Sequence, residues 1–233
     1  MELGGYVGYS CILFADAVRK AGGKRYYSLE RDPVFGAVIS SLADLAGLGD
    51  VVKVIIGSSD ASIKRLHDTG LLKHIDMMFL DHYKPAYKTD LKLAEELRLV
   101  TPGTVLAADN VIEPGNPPYL EYVRSTVAEK RKVANGGNED SSPDARFKDR
   151  TAKQYASRRG EEKLGETTGN PNLVYDSKLV HSFEPTGVPV SCTCCEREIP
   201  YSYFFSGRHR GYSLRGGGVM IRDCNYSPYN VLS

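Results

Sequence analysis

Residues 25–57 read RYYSLERDPVFGAVISSLADLAGLGDVVKVIIG, and their periodicity decides the fold. "RYYSLE" (25–30) has the aromatic content of a short strand. "PVFGAVISSLADLAG" (33–47) carries apolar residues at helical spacing, with Pro33 at its start and Gly47 at its stop. "VVKVIIG" (51–57) is a β-branched strand closed by glycine. A strand, a helix of ten or more residues and a second apolar strand form a parallel crossover unit.

Working outward, the same alternation continues in both directions. Residues 11–21 ("CILFADAVRKA") predict a helix stopped by Gly22-Gly23. Downstream, the pattern predicts a helix over 60–69, a strand over 75–81, a helix over 86–98, a strand over 104–110 and a helix over 117–131. Strands apolar nearly throughout require cover on both faces. The expected class is therefore α/β, a mostly parallel sheet with helices on both faces. In such sheets ligands bind beyond the carboxyl ends of the strands.

Composition narrows the function. The chain has 233 residues, 41% hydrophobic and 25% charged, enough for one full α/β core. A net charge of +1 supplies no basic field for nucleic acid. No run approaches the roughly 18 apolar residues that span a bilayer, and no leader pattern precedes the first motif, so a cytoplasmic protein without membrane or protein partners is expected. Cys11 stands apart from Cys192, Cys194, Cys195 and Cys224, an irregular set that argues for a reducing compartment. The "CTCC" run with His209 lacks the C-x2-C spacing that closes a zinc site.

The pattern changes after the helix ending near 131. Residues 1–130 form the expected core. Residues 131–172 contain only Val133 and Leu164 as branched aliphatics and predict a flexible insert. Residues 173–189, including "LVYDSKLVHSF" (173–183), resume strand character and continue the core, whereas 190–233 have no period and are expected to be an irregular, divergent tail.

Polar clusters fall at or just after the predicted strand ends: Glu2 to Ser10, Glu30, Gly57 to Asp60, Asp81 to Lys84, and Asp109-Asn110. Each taken singly reads as ordinary loop polarity, and the carboxylates could cap helices. As a set they converge on one rim. Asp81, Asp109 and Asn110 are hard oxygen donors of the kind that suit Mg²⁺. Lys84, three residues past Asp81, is a candidate base. Glu30 ends the second strand, where an acid in this topology accepts from a ribose. The opening "GGYVG" (4–8) departs from G-x-G-x-x-G, so a nucleoside without pyrophosphate is the better ligand, and S-adenosylmethionine is one.

"ELGGYVGYS" (2–10), "FLDHYK" (79–84) and "ADNVIEPGNP" (108–117) resemble the corresponding motifs of the catechol O-methyltransferases, over roughly residues 2–130 and more weakly to 189. The resemblance implies a Rossmann-like S-adenosylmethionine-dependent fold. It implies that Asp81, Asp109 and Asn110 hold Mg²⁺ and that Lys84 is the catalytic base. It further implies that Glu30 holds the ribose, that Gly4, Tyr6 and Ser10 contact the methionine part of the cofactor, that Ser59, His82 and Tyr83 lie on its adenosine side with Asp60 at the adenine, and that Glu2 and Asp81 also belong to the cofactor site. Asp60 replaces a family glutamine and Tyr83 a tryptophan. Glu184 matches the acid that grips the second catechol hydroxyl, through an alignment with a gap.

The family's loop follows a central strand and covering helices, so "MELGG" reads as an internal methionine. With "VSCTCC" (190–195) in place of a final family strand, the sheet is expected to be incomplete at both ends and the chain as written to fold poorly. The expected activity is Mg²⁺-dependent methylation of a catechol-type small molecule. The alternatives are an O-methyltransferase for another vicinal diol or phenol, or an inactive cofactor-binding fragment.

Overall fold

In the computed structural model, the described residues are 1–136, 147, 151–153, 155, 157, 164–165, 167–183, 189–194 and 222–223. Strand β1 (Glu2–Leu3) leads into α1 (Tyr9–Lys20), followed by β2 (Tyr26–Glu30), α2 (Pro33–Leu45), β3 (Val52–Ile56), α3 (Ser59–Asp68), β4 (Met77–Leu80), α4 (Ala86–Glu96) and β5 (Val105–Ala108). A wide turn at Val111–Gly115 precedes α5 (Pro117–Arg124) and α6 (Val127–Ala134). Strands β6 (Tyr175–Asp176), β7 (Lys178–Phe183), β8 (Pro189–Cys194) and β9 (Arg222–Asp223) complete the order.

Seven strands form one sheet in the order β3-β2-β1-β4-β5-β8-β7. The pairs from β3 to β5 are parallel, and β8 runs antiparallel between β5 and β7. The expected parallel α/β architecture is therefore present. Where the sequence pattern predicts no element, Pro189–Cys194 pair with both neighbours, so the boundary drawn at 190 falls inside β8. Ladder hydrogen bonds, blind to side-chain hydropathy, form this strand without an apolar period. The middle strand of the five parallel ones, β1, has two residues, Glu2 and Leu3, paired with Ser28 and Leu29 on one side and Phe79 and Leu80 on the other.

Alternation along β2 divides the core. Tyr27 and Leu29 pack with Leu3, Leu80, Ile63 of α3, Leu91 of α4 and Tyr119 of α5. Tyr26 faces the other way, with Cys11 and Ala15 of α1 and Ile39 and Ala43 of α2. Helices therefore cover both faces. Each fully buried leucine contributes on the order of 1.5–3 kcal/mol.

Local chemistry sets the element ends. Asp32 caps α2 by accepting from the Val34 amide at 2.7 Å, with Pro33 in the first turn. The helix expected over 117–131 is two helices. Thr126 and Glu129 form a reciprocal capping box that ends α5 and restarts the chain as α6.

The 131–172 segment also differs from expectation at its described positions. Phe147 and Tyr155 are buried, and the Thr168 and Gly169 amides donate to Glu96 while that of Asn170 donates to Glu95. Aromatic rings and backbone amides anchor these positions, which a count of aliphatics overlooks. No helix among the described residues is long and apolar enough to cross a membrane.

Candidate active site

The loops leaving the carboxyl ends of β1, β2, β3, β4 and β5 meet on one rim. Gly4 shows how tightly the first of them approaches: its φ is +88°, and a Cβ there would lie 2.8 Å from the Asp81 carbonyl oxygen and 2.9 Å from the His82 Cα. Only glycine fits this position without moving backbone. Gly8, also left-handed at φ 90°, ends the loop and starts α1.

Glu2 holds this loop from beneath. It is fully buried and accepts from Ser10 Oγ at 2.8 Å, Ser28 Oγ at 2.5 Å and the Tyr26 hydroxyl at 3.2 Å. Burial raises its pKa, opposed by the hydroxyl donors. Glu30 binds the loop from the side, accepting the Tyr6 amide at 2.8 Å and the Asp32 amide at 2.9 Å. Each oxygen keeps a further lone pair for a ligand hydroxyl. The Tyr6 ring is exposed and sits edge-on to Phe35 at 4.7 Å.

On the opposite wall, Ser59 opens α3 and donates to Asp90 Oδ2 at 2.5 Å. The same oxygen lies 2.8 Å from His82 Nε2. The His82 ring stacks on Tyr87 at 4.8 Å, and its Nδ1 is buried without a hydrogen-bond partner. Asp60 is half-buried in the first turn of α3. Tyr83 donates to the Tyr155 carbonyl at 2.8 Å.

The expected base and Mg²⁺ donors lie at the neighbouring ends of β4 and β5. Lys84 is buried, and its Nζ donates to Asp81 Oδ1 at 2.9 Å and to the Tyr87 hydroxyl at 2.7 Å. The register pairs Leu80 with Ala108, so Asp81 and Asp109 leave adjacent strand ends. Burial first, and Asp109 further, raise the Asp81 pKa against the opposing pull of Lys84. Asn110 is left-handed at φ 55°, its amide donating to Asp109 Oδ1 at 2.7 Å. Asn116 caps α5 and donates from Nδ2 to the Lys84 carbonyl at 2.7 Å, joining the two loops.

Among the described residues, no three His, Cys, Asp or Glu side chains come together as a metal cage. The expected Mg²⁺ donors are two carboxylates and one amide, a sparse oxygen set of the kind that suits a cation retaining much of its water. Two acids pushed against each other, one with a raised pKa, are also the surroundings a cation relieves. The residues present thus fit Mg²⁺.

Glu184 lies outside the described residues, as does His209. Sequence reasoning missed Tyr87, Asp90 and Asn116. Tyr87 had a usable signal, standing one helical turn past Lys84. Asp90 had none, because its partners come from separate elements.

Residues 1–111 match the family described as a methyltransferase domain. The chain is 43% identical over 146 residues to catechol O-methyltransferase of Bos taurus, an alignment covering 58% of this chain and 53% of that one. It is 42% identical over 126 residues to the Mus musculus enzyme of the same name, covering 54% and 47%. It is 41% identical over 124 residues to that of Sus scrofa, covering 53% and 66%. The chain thus spans between 47% and 66% of the length of these relatives. Because the matched segment runs from β1 through the Asp109-Asn110 pair, the similarity to a methyltransferase domain and to the catechol O-methyltransferases falls on the rim up to β5, within an α/β fold of parallel strands and covering helices.

Proposed function

We propose that this chain transfers a methyl group from S-adenosylmethionine to a hydroxyl of a catechol, with Mg²⁺ held by Asp81, Asp109 and Asn110. The observation that carries the proposal is the position of Lys84. Its Nζ is buried beside Asp81, on the strand end next to the Asp109-Asn110 pair.

The loop from Gly4 to Gly8 and Ser10 face the methionine end of the donor, Glu30 accepts from its ribose, and Ser59, Asp60, His82 and Tyr83 flank its adenosine. Bound Mg²⁺ would supply positive charge that favours the ionised form of a phenol whose ordinary pKa is near 10. Lys84, as the neutral amine, takes the acceptor proton on the lone pair of Nζ and becomes the ammonium. The acceptor oxygen then forms its bond to the methyl carbon as the carbon–sulfur bond breaks and its electron pair returns to sulfur. Holding both reactants at attack distance contributes on the order of 7 kcal/mol or more.

The test is a pair of measurements on one preparation. Calorimetry with S-adenosylhomocysteine, with and without Mg²⁺, is expected to show cofactor binding in both cases. Methyl transfer to catechol but not to a monophenol, abolished by a chelator, is expected in the assay. Equal transfer to monophenols without metal would overturn the catechol and Mg²⁺ assignments.

A further inference from the structure

A groove of about 440 Å³ opens beside the candidate site. Its walls are Val111, Ile112 and Pro114 of the wide turn, Pro117 and Leu120 of α5, and Phe147 from the 131–172 segment. Val111 directly follows Asn110, so one end of this groove adjoins the proposed Mg²⁺ donors.

Phe147 is tied to the other side of the site by a ladder of rings. It is 5% exposed and meets Tyr155 edge-on at 5.1 Å; Tyr155 meets Tyr83 edge-on at 5.6 Å. The Tyr83 hydroxyl donates to the Tyr155 carbonyl at 2.8 Å, which fixes the ladder's foot. Tyr83 immediately precedes Lys84. Phe147 therefore stands in the wall of the groove while its ring contacts lead through Tyr155 to Tyr83, next to Lys84.

We infer that Phe147 is a specificity-determining residue that makes this groove a subsite for an apolar substituent on the aromatic acceptor; the inference rests on the proposed methyl transfer. The lining is chiefly aliphatic and aromatic. Its charged members, Glu121 and Arg124, stand three residues apart on α5 with opposite signs, so the groove has no net charge to select an ionic tail. The turn and α5 supply a wall already fixed by the Asn116 bond to the Lys84 carbonyl, and Phe147 supplies the facing wall.

The experiment compares catechol with 4-butylcatechol in the wild-type chain and in Phe147→Ala and Phe147→Leu. One buried methylene is worth about fourfold in affinity, so burying about two of the four butyl carbons is expected to lower KM about 15-fold relative to catechol in the wild type. Phe147→Ala is expected to erase most of that preference while leaving kcat and KM for catechol and the affinity for S-adenosylhomocysteine unchanged. Phe147→Leu, which keeps apolar volume, is expected to retain part of it. Equal KM values for the two acceptors in the wild type, or a preference that survives Phe147→Ala in a folded protein, would overturn the inference. Loss of activity on both acceptors in Phe147→Ala with an unchanged melting temperature would also overturn it, because Phe147 would then act on the reaction itself. A wild type that binds S-adenosylhomocysteine but methylates neither compound counts instead against the proposed function.

Discussion

The Tyr87 hydroxyl lies 2.7 Å from Lys84 Nζ and accepts its hydrogen bond from inside the core, where Tyr87 is fully buried. Burial holds the phenol well above its ordinary pKa, so it serves Lys84 as a neutral partner, while Asp81 supplies the charged one. Lys84 Nζ is thereby held between the core and the Asp81 carboxyl. Lys84→Ala is expected to lower kcat by about 100-fold or more, with S-adenosylhomocysteine affinity within about twofold of wild type, because a base acts in the transition state. Tyr87→Phe keeps the ring and is expected to lower kcat by about tenfold. Steady-state kinetics with calorimetry check both, and an unchanged kcat in Lys84→Ala would remove Lys84 as the base.

Asp109→Ala is expected to abolish Mg²⁺-stimulated transfer, since the sparse donor set loses one of its two charged members. Cofactor affinity measured without metal is expected to survive. Titration of activity against Mg²⁺ checks this, and a wild-type Mg²⁺ response would put the cation elsewhere.

Asp90 ties the head of α3 to the loop after β4, receiving Ser59 Oγ at 2.5 Å and lying 2.8 Å from His82 Nε2, two residues proposed to flank the adenosine. Hydrogen bonds to a charged group are worth about 1.5–3 kcal/mol each. Asp90→Ala is expected to weaken S-adenosylhomocysteine binding by about tenfold or more, with kcat at saturating cofactor little changed. Asp90→Asn, whose single amide oxygen can still accept from both Ser59 and His82 but is neutral, is expected to fall between. Calorimetry on the three proteins decides it.

Glu95 accepts from Tyr122 at 2.5 Å and also from Tyr175, and burial raises its pKa above the ordinary 4.5. A raised carboxyl pKa stabilises the fold fully below the unfolded value and loses that contribution as pH rises through the folded value. Glu95→Gln cannot ionise. The difference in melting temperature, variant minus wild type, is therefore expected to grow as pH rises above about 4.5. Melts at a series of pH values measure it, and a difference that is flat with pH would refute the assignment.

Cys11 is fully buried, and burial together with nearby Glu2 pushes its thiol up to about 12. The nucleophile is the thiolate. Cys11 is expected to resist iodoacetamide at about pH 8 in the folded protein and to react on denaturation. Peptide mapping by mass spectrometry reads the outcome directly.

The sequence by itself determined the strand-and-helix alternation of residues 25–110, the α/β class, and the residue types gathered at the strand ends. These are local properties. Hydropathy of period two or 3.6 states which face of an element is buried, and Asp81 and Lys84 meet because they stand three residues apart in the short loop between β4 and α4. The tertiary structure alone decided what joins distant segments. It set β8 between β5 and β7, brought Asp90 to Ser59 and His82, seated Glu2 among Ser10, Tyr26 and Ser28, and carried Tyr155 to Tyr83. The Tyr83–Tyr155 bond spans 72 residues and the Ser59–Asp90 bond 31. Such contacts form only where the burial of the whole core offsets the entropy of closing long loops, a sum over the entire chain that no short window of residues contains.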